Sequence, residues 1–484
     1  MDRVAAIEQL AARHFDLLVV GGGIIGAGIA EAATAHGLDV ALVDRGDFAS
    51  ATSSGSSKLI HGGLRYLQMG DVRLVREAHQ ERRYLMNVVA PHLVERLPFL
   101  FPLYAGGPHR PIVVRTGVLL YSTLARARLN GRISEARALK LVPQLRTERL
   151  HSSALYADAR TNDGRLTIEN VVAASERGAV ALNYAAVTAI RPDGADVHVD
   201  GHDVVVRAGL IVNATGPWLD HLRRLEDSSA APSIRLSKGV HVVVDGGAGW
   251  GAAVTIPQSK VRVSFAIPWE GMLLLGTTDT LHEGEPDDAQ VTDDDIRTIL
   301  DEAATGIDHI GAVRASFLGL RVLPGGLGAT ADARRETVYT RGPTGMLSVA
   351  GGKLTTYRRI ALDALEQLGV RNLNRTPRPL PGAINLANVQ WPVELDPPTR
   401  SHLLHLYGSR AAEVVRPALD DPSLLEPLAP GRPDLRAQDR YARGHELAVK
   451  DEDVIRRRTT AWLAGELVQP SAGSNQFPAA SRRP

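Results

Sequence analysis

The apolar run FDLLVV at 15–20 stops at three glycines, and a helix of small and apolar residues is predicted at 24–36. VALV at 40–43 follows and ends on Asp44. Strand, glycine turn, helix and strand in quick succession predict the opening β-α-β unit of a parallel sheet. Further strands are predicted at 204–213, 240–244, 261–267, 272–276 and 346–349, and helices at 72–89, 167–177, 293–304 and 355–368. The close spacing of the middle strands suits antiparallel pairing better than more helical crossovers. Prolines 377, 379, 381, 392, 397 and 398 follow the Leu368-Gly369 helix end and mark a boundary near residue 375. Beyond it the chain reads as largely helical, and its last residues, polar, small and proline-containing, are predicted to be disordered.

At 484 residues the chain is long for a single core, so two or three domains are expected, some built from non-adjacent segments. The net charge of +1 gives no global case for nucleic acid, so any anion site must come from a local cluster of Lys and Arg. The chain has no cysteine, which excludes disulfides, thiolate zinc sites, cysteine-ligated clusters and thiol nucleophiles. Redox chemistry would need a borrowed cofactor, and no metal site is predicted. The N-terminus is charged and helix-like, without the apolar core of a signal peptide. The most apolar stretch, 17–30, holds glycines 21, 22, 23, 26 and 28, so no transmembrane helix is predicted and a cytoplasmic location is expected.

Gly21, Gly23 and Gly26 have GxGxxG spacing between a strand and a helix, which suits a tight turn, close backbone approach to a pyrophosphate and close helix packing. Asp44 ends the second strand, where a carboxylate can accept hydrogen bonds from ribose hydroxyls. This unit serves FAD and NAD equally. Two later strand-to-turn segments, IVNATGPW at 211–218 and VAGGKLTTY at 349–357, favour FAD. A second helix N-terminus offers backbone N–H groups to a negatively charged flavin pyrimidine, a role NAD would not need.

ATSSGSSKLIHGGLRYL at 51–67, IVNATGPW at 211–218, IPWEGMLLLGTTDT at 267–280 and SVAGGKLTTYR at 348–358 together resemble the FAD-dependent, quinone-linked glycerol-3-phosphate dehydrogenase family. LYGSRAAEVV at 406–415 and DEDVIRRRT at 451–459 extend the likeness more loosely, and 375–450 departs most from it. The resemblance implies an α/β fold with an antiparallel sheet. Its FAD-binding Rossmann-like domain, of the amino-acid-oxidase type, would comprise 14–90, 151–235 and 311–370. A substrate-binding and membrane-facing domain would comprise 91–150 and 236–310, ahead of a helical C-terminal domain at 376–468 and a disordered tail at 469–484.

The same resemblance implies the site. Gly21, Gly23, Gly26 and Asp44 would hold the nucleotide, with Val187, Ala214, Thr215 and Gly216 beside them. Thr52, Ser53, Ser56, Ser57, Lys58, Leu59 and His61 would wrap the flavin, and Gly352, Lys353, Leu354 and Thr355 would close over it. Arg65, Tyr66, His241, Arg321 and Lys353 would meet the substrate, a phosphate monoester that needs fixed cations. His241 has a pKa suited to a base near neutral pH, whereas arginine stays protonated. His241 is therefore expected as base and Arg321 as electrostatic stabiliser, with orientation of the alcohol as the other role open to Arg321.

The implied reaction is oxidation of sn-glycerol 3-phosphate to dihydroxyacetone phosphate by hydride transfer from C2 to flavin N5. With no cysteine relay, electrons would pass directly to membrane quinone. An oxygen-using glycerol-phosphate oxidase, an amine oxidase on the same fold and a non-catalytic flavoprotein are the competing readings. Nine Lys or Arg against two Glu between Arg110 and Arg149, interleaved with aliphatic residues, suggest peripheral contact with anionic lipid at the inner face of the cell membrane. A homodimer is compatible with the family, no nucleic-acid partner is expected, and Arg456, Arg457 and Arg458 read as a solvated helix face.

Overall fold

The computed structural model describes residues 2–63, 71–125, 131–259, 262–325 and 337–465. The predicted β-α-β unit opens a sheet ordered Val338–Arg341, Leu347–Ala350, His202–Asn213, His14–Val20, Val40–Val43 and Val180–Leu182. All neighbours from Leu347–Ala350 to Val180–Leu182 are parallel. Helix Ile24–Thr34 packs with Asp163–Glu176 and Tyr357–Gln367 on one face, burying Ile29, Ala33, Val171, Ala361 and Leu365 against Val19, Leu42 and Val349. The other face is covered by Leu10 of helix Arg3–Ala12 and by an antiparallel extension, Ala185–Arg191 and Gly194–Val199. Cover on both sides explains why these strands read as continuous apolar runs.

The second sheet runs Thr280–His282, Ile234–Val244, Met272–Gly276, Val263–Trp269, Ala253–Pro257, Glu95–Tyr104, Leu150–Arg160 and Leu59–Ile60, with Val313–Pro324 paired along Ile234–Val244. Its pairs are antiparallel except for a short parallel contact between Ala253–Pro257 and Glu95–Tyr104. Leu150–Arg160 and Val313–Pro324, expected in the nucleotide domain, belong to this sheet, so its limits fall near 161 and 325 instead of 151 and 311. Strand pairing, which joins residues far apart in sequence, decides membership here. Glu95–Tyr104 carries Pro98 and Pro102, which mask its strand character and leave two positions without a ladder donor. Helix Asp293–Ala304, opened by a capping box at Thr292, covers one face, where Val240, Val242 and Val244 meet Ile299 and Ala303.

The C-terminal region packs helices Pro397–Tyr407, Ala411–Val415 and Arg436–His445 around Leu403, Leu406, Tyr407, Val414 and Tyr441. It is tied to the first sheet by buried charge. Arg165 places Nη1 2.8 Å from both carboxylate oxygens of Glu446. The arginine run read as a solvated face is corrected: Arg457 is buried and Arg458 is 0% exposed, and both engage Asp47. Guanidinium groups are buried when carboxylates meet them, and that partner lies some four hundred residues upstream in the sequence. The tail expected to be disordered, 469–484, lies outside the described residues.

Candidate active site

The nucleotide end is built where the parallel strands stop. Gly21 accepts a positive φ of 105°, and a Cβ on Gly26 would lie 1.8 Å from the Gly21 carbonyl oxygen, so the helix can approach the turn only through glycine. Gly21 N donates to Val43 O and Ala214 N to Val20 O, both at 2.8 Å, which brings the glycine turn, the Asp44 strand end and the 214–216 turn together. Asp44 accepts from Gly22 N at 2.6 Å and Gly46 N at 2.8 Å. Burial pushes its carboxyl up to about 6, offset in part by those two N–H groups. Ala185 N donates to Asp44 O at 2.7 Å, placing the strand that bears Val187 beside this carboxylate.

The 50–58 loop lies between the two sheets. Ser53 Oγ accepts from Ile24 N at 2.9 Å, at the positive end of helix Ile24–Thr34. Thr52 Oγ1 donates to Leu320 O at 2.7 Å, and Ser56 Oγ donates to Asp163 Oδ2 at 2.6 Å. Lys58, buried and in the left-handed region, donates through Nζ to Asp163 Oδ1 at 2.6 Å and to Ser54 O at 2.5 Å. Its side chain therefore locks the loop, and Leu59 continues into the edge strand Leu59–Ile60. His61 N donates to Thr355 Oγ1 at 3.0 Å, joining this loop to the turn that holds Gly352, Lys353 and Leu354.

On the second sheet, Ser237, Gly239 and His241 stand opposite Arg321, Gly319 and Phe317. Period-two alternation puts all six on one face, away from helix Asp293–Ala304. Arg321 Nη1 donates to Thr278 O at 3.1 Å and lies 3.5 Å from Asp279 Oδ1, while Nη2 donates to Thr277 Oγ1 at 3.0 Å. A Cβ on Gly239 would come within 2.5 Å of this guanidinium. His241 stacks on Phe317 with ring centroids 5.0 Å apart, and its Nε2 lies 2.8 Å from Ser57 Oγ. Burial, with Arg321 and Lys58 nearby, holds its pKa well below the usual imidazole range.

The structure thus brings Gly21, Gly26, Asp44 and Ala214 together at one end, and Thr52, Ser57, His241 and Arg321 at the other. Arg65 and Tyr66 lie outside the described residues. Sequence reasoning missed Asp163, which anchors the loop, and Ser237, Thr277, Thr278 and Asp279, which surround Arg321. Asn162-Asp163 carries a helix-start signal, but nothing local reveals a partner 105 residues away. Among the described residues no group of His, Asp or Glu could hold a metal ion.

A family model described as FAD dependent oxidoreductase matches residues 16–358, and one described as the C-terminal domain of alpha-glycerophosphate oxidase matches 373–469. The chain is 35% identical to the glycerol-3-phosphate dehydrogenase of Mycobacterium leprae, over 94% of this chain and 82% of that one. It is 34% identical to the aerobic glycerol-3-phosphate dehydrogenase of Staphylococcus epidermidis, over 75% and 68%. Among solved structures it resembles the Bacillus halodurans glycerol-3-phosphate dehydrogenase complexed with FAD, with a TM-score of 0.75, 29% identity and coverage of 96% and 89%. The Mycoplasma pneumoniae L-alpha-glycerophosphate oxidase, at 18% identity and a TM-score of 0.59 over 76% and 99%, shares the fold. The FAD domain with an antiparallel sheet and helical C-terminal region, expected from sequence, is the architecture present.

The glycine cradle, the helix N-terminus and the Asp44 carboxylate fit the diphosphate and ribose of FAD. Ribose hydroxyls favour the ionised acid, so FAD binding should release a proton and weaken as pH falls through about 6. Titration of the apo-protein with FAD is expected to give a Kd about tenfold weaker at pH 5 than at pH 7. An affinity flat across that window would remove Asp44 from the site.

Proposed function

Because the chain belongs to the FAD-dependent oxidoreductases and, within them, to the glycerol-3-phosphate dehydrogenases, we propose that it oxidises sn-glycerol 3-phosphate to dihydroxyacetone phosphate and passes the electrons to membrane quinone. The observation that carries this reading is the juxtaposition of His241 and Arg321 on one sheet face under the Ser57 loop. Bound FAD supplies the hydride acceptor, N5 of its ring. The chain must then take the hydroxyl proton, hold the phosphate and exclude water.

His241 takes the hydroxyl proton in this reading: burial holds its pKa below the near-neutral value expected from residue type, which leaves the ring neutral and able to accept from the C2 hydroxyl but a weaker base than a free imidazole. Burial first, and then the charges of Arg321 and Lys58, disfavour the imidazolium in the free protein; a substrate dianion would offset the two charges when it binds. Arg321 keeps its charge and is held by Thr277, Thr278 and Asp279, so it presents fixed donors to the oxygen that becomes the carbonyl. Arg65, Tyr66 and Lys353 complete the substrate contacts in this reading.

The quinone assignment draws support from helix Pro111–Leu124. One face buries Val114, Val118 and Tyr121, and the other leaves Ile112, Val113, Leu119 and Leu120 exposed at 67, 59, 49 and 46%. An outward apolar stripe that begins beside the exposed Arg110 suits shallow insertion into an anionic bilayer, where quinone resides. Among the described residues no helix is long and apolar enough to cross a membrane, so the contact proposed is peripheral.

Anaerobic addition of sn-glycerol 3-phosphate should bleach the visible flavin bands, which NADH and glycerol should leave unchanged; an unbleached yellow protein would sink the substrate assignment. His241→Ala is expected to lower kcat by about a hundredfold or more while KM moves little. Unchanged turnover would take His241 out of the mechanism. The protein should sediment with anionic vesicles at low salt and release as salt rises, and failure to sediment would end the membrane reading.

A further inference from the structure

The turn that carries Asp44 is held from outside its own domain. Asp47 is 1% exposed, and its carboxylate accepts from Arg458 Nη1 at 2.6 Å, Arg458 Nη2 at 2.8 Å, Arg457 Nε at 2.5 Å and Asn183 Nδ2 at 2.9 Å. Both arginines come from the C-terminal region. Arg457 also donates to Asp453 at 2.7 Å, and Arg458 to Glu446 O at 2.8 Å. The turn's backbone is gripped as well, since Tyr184 N donates to Gly46 O at 2.9 Å and Ala185 N to Asp44 O at 2.7 Å. A buried carboxylate stripped of such partners leaves an uncompensated charge, which the surrounding structure moves to relieve. Asp44 would feel that charge directly, because like charges at short range disfavour each other's ionised form.

We propose that Arg457 and Arg458 are positioning residues for FAD: by holding and neutralising Asp47 they fix the 44–47 turn and keep the Asp44 carboxylate set for the ribose hydroxyls. The C-terminal region is then a working part of the cofactor site, reaching it through Asp47. The inference rests on the FAD reading above, and its failure is separable from the failure of that reading.

The charges around the turn give the idea a sign. Arg45 and Asp47 are the charged groups that act on Asp44, and Arg45 is itself turned to Asp287 at 2.5 Å and stacked on Trp218. Asp47 is faced by Arg457 and Arg458, with Tyr184, Asp453 and Glu446 behind them. Asp47→Asn removes the negative neighbour of Asp44 and leaves two cations, so Asp44 should titrate lower. Arg458→Met leaves Asp47 underpaired, so Asp44 should titrate higher. A role confined to general stability would weaken FAD binding in both variants without moving the two midpoints apart.

The test uses the full chain stripped of flavin, with FAD titrated in and its fluorescence followed from pH 4.5 to 8. The expected result is a pH midpoint of affinity about half a unit or more lower in Asp47→Asn and higher in Arg458→Met. Midpoints that stay at the wild-type value, or move in the same direction, in variants with wild-type circular dichroism overturn the proposal. Should Arg458→Met fail to fold, Arg457→Met takes its place: an upward shift supports the proposal and an unmoved midpoint overturns it. A wild-type chain that took up no FAD would instead overturn the cofactor assignment.

Discussion

The ion pair between Lys58 and Asp163 is the fixed point on which both ends of the site depend. Asp163 opens a helix of the nucleotide side, where the partial positive charge of the first turn favours a carboxylate. Its two oxygens meet Lys58 Nζ, Ser56 Oγ and the backbone N–H groups of Ser56 and Gly164. The loop pinned in this way then touches the opposite sheet through Thr52 and Ser57. Removing one partner from such a pair leaves a buried charge, at a cost of about 3–5 kcal/mol. The loop therefore cannot slide relative to the helix without a large penalty, and the Ser57–His241 contact inherits that rigidity.

A related logic governs how the C-terminal region docks. Its own helices enclose a small apolar core, while the contact with the rest of the chain carries buried charge, Arg165 with Glu446 and Arg458 with Asp47, and a part-buried set, His405 between Glu95 and Glu270. Both carboxylates support His405, and its pKa rises to about 10 despite burial. Apolar surfaces tolerate many relative placements, whereas paired charges out of water tolerate few. Such pairs contribute little net stability over apolar packing, but they penalise misdocking severely.

Much of the fold was legible in the sequence because its signals are local. The glycine turn, the helix after it, Asp44, and the strands at 240–244 and 272–276 each announce themselves within a few residues. Glu95–Tyr104 was hidden by its two prolines, and Val313–Pro324, for which no strand was predicted, shows only against its partner. The same division holds for the site. Gly21, Gly26 and Thr355 lie at turns whose signal is local, whereas the contacts of Asp163, Asp47 and Arg458 span separations of 105 to 411 residues. Composition even argued the wrong way for Arg457 and Arg458, because a run of arginines is ordinarily solvated, and only burial distinguishes the exception.

What joins fold to chemistry most directly is strand register. Val240, Val242 and Val244 face the helix Asp293–Ala304, and Ser237, Gly239 and His241 therefore face the loop. A slip of one residue would turn His241 into that apolar layer and set a valine against Ser57. The valines therefore do more than fill a core, since the free energy of burying them selects the face on which the histidine stands. Gly239 completes the arrangement by leaving room for the Arg321 guanidinium between Ser237 and His241. The face that carries His241 and Arg321 is thus specified by apolar packing on its reverse side, which ties the placement of these two side chains to the stability of the sheet.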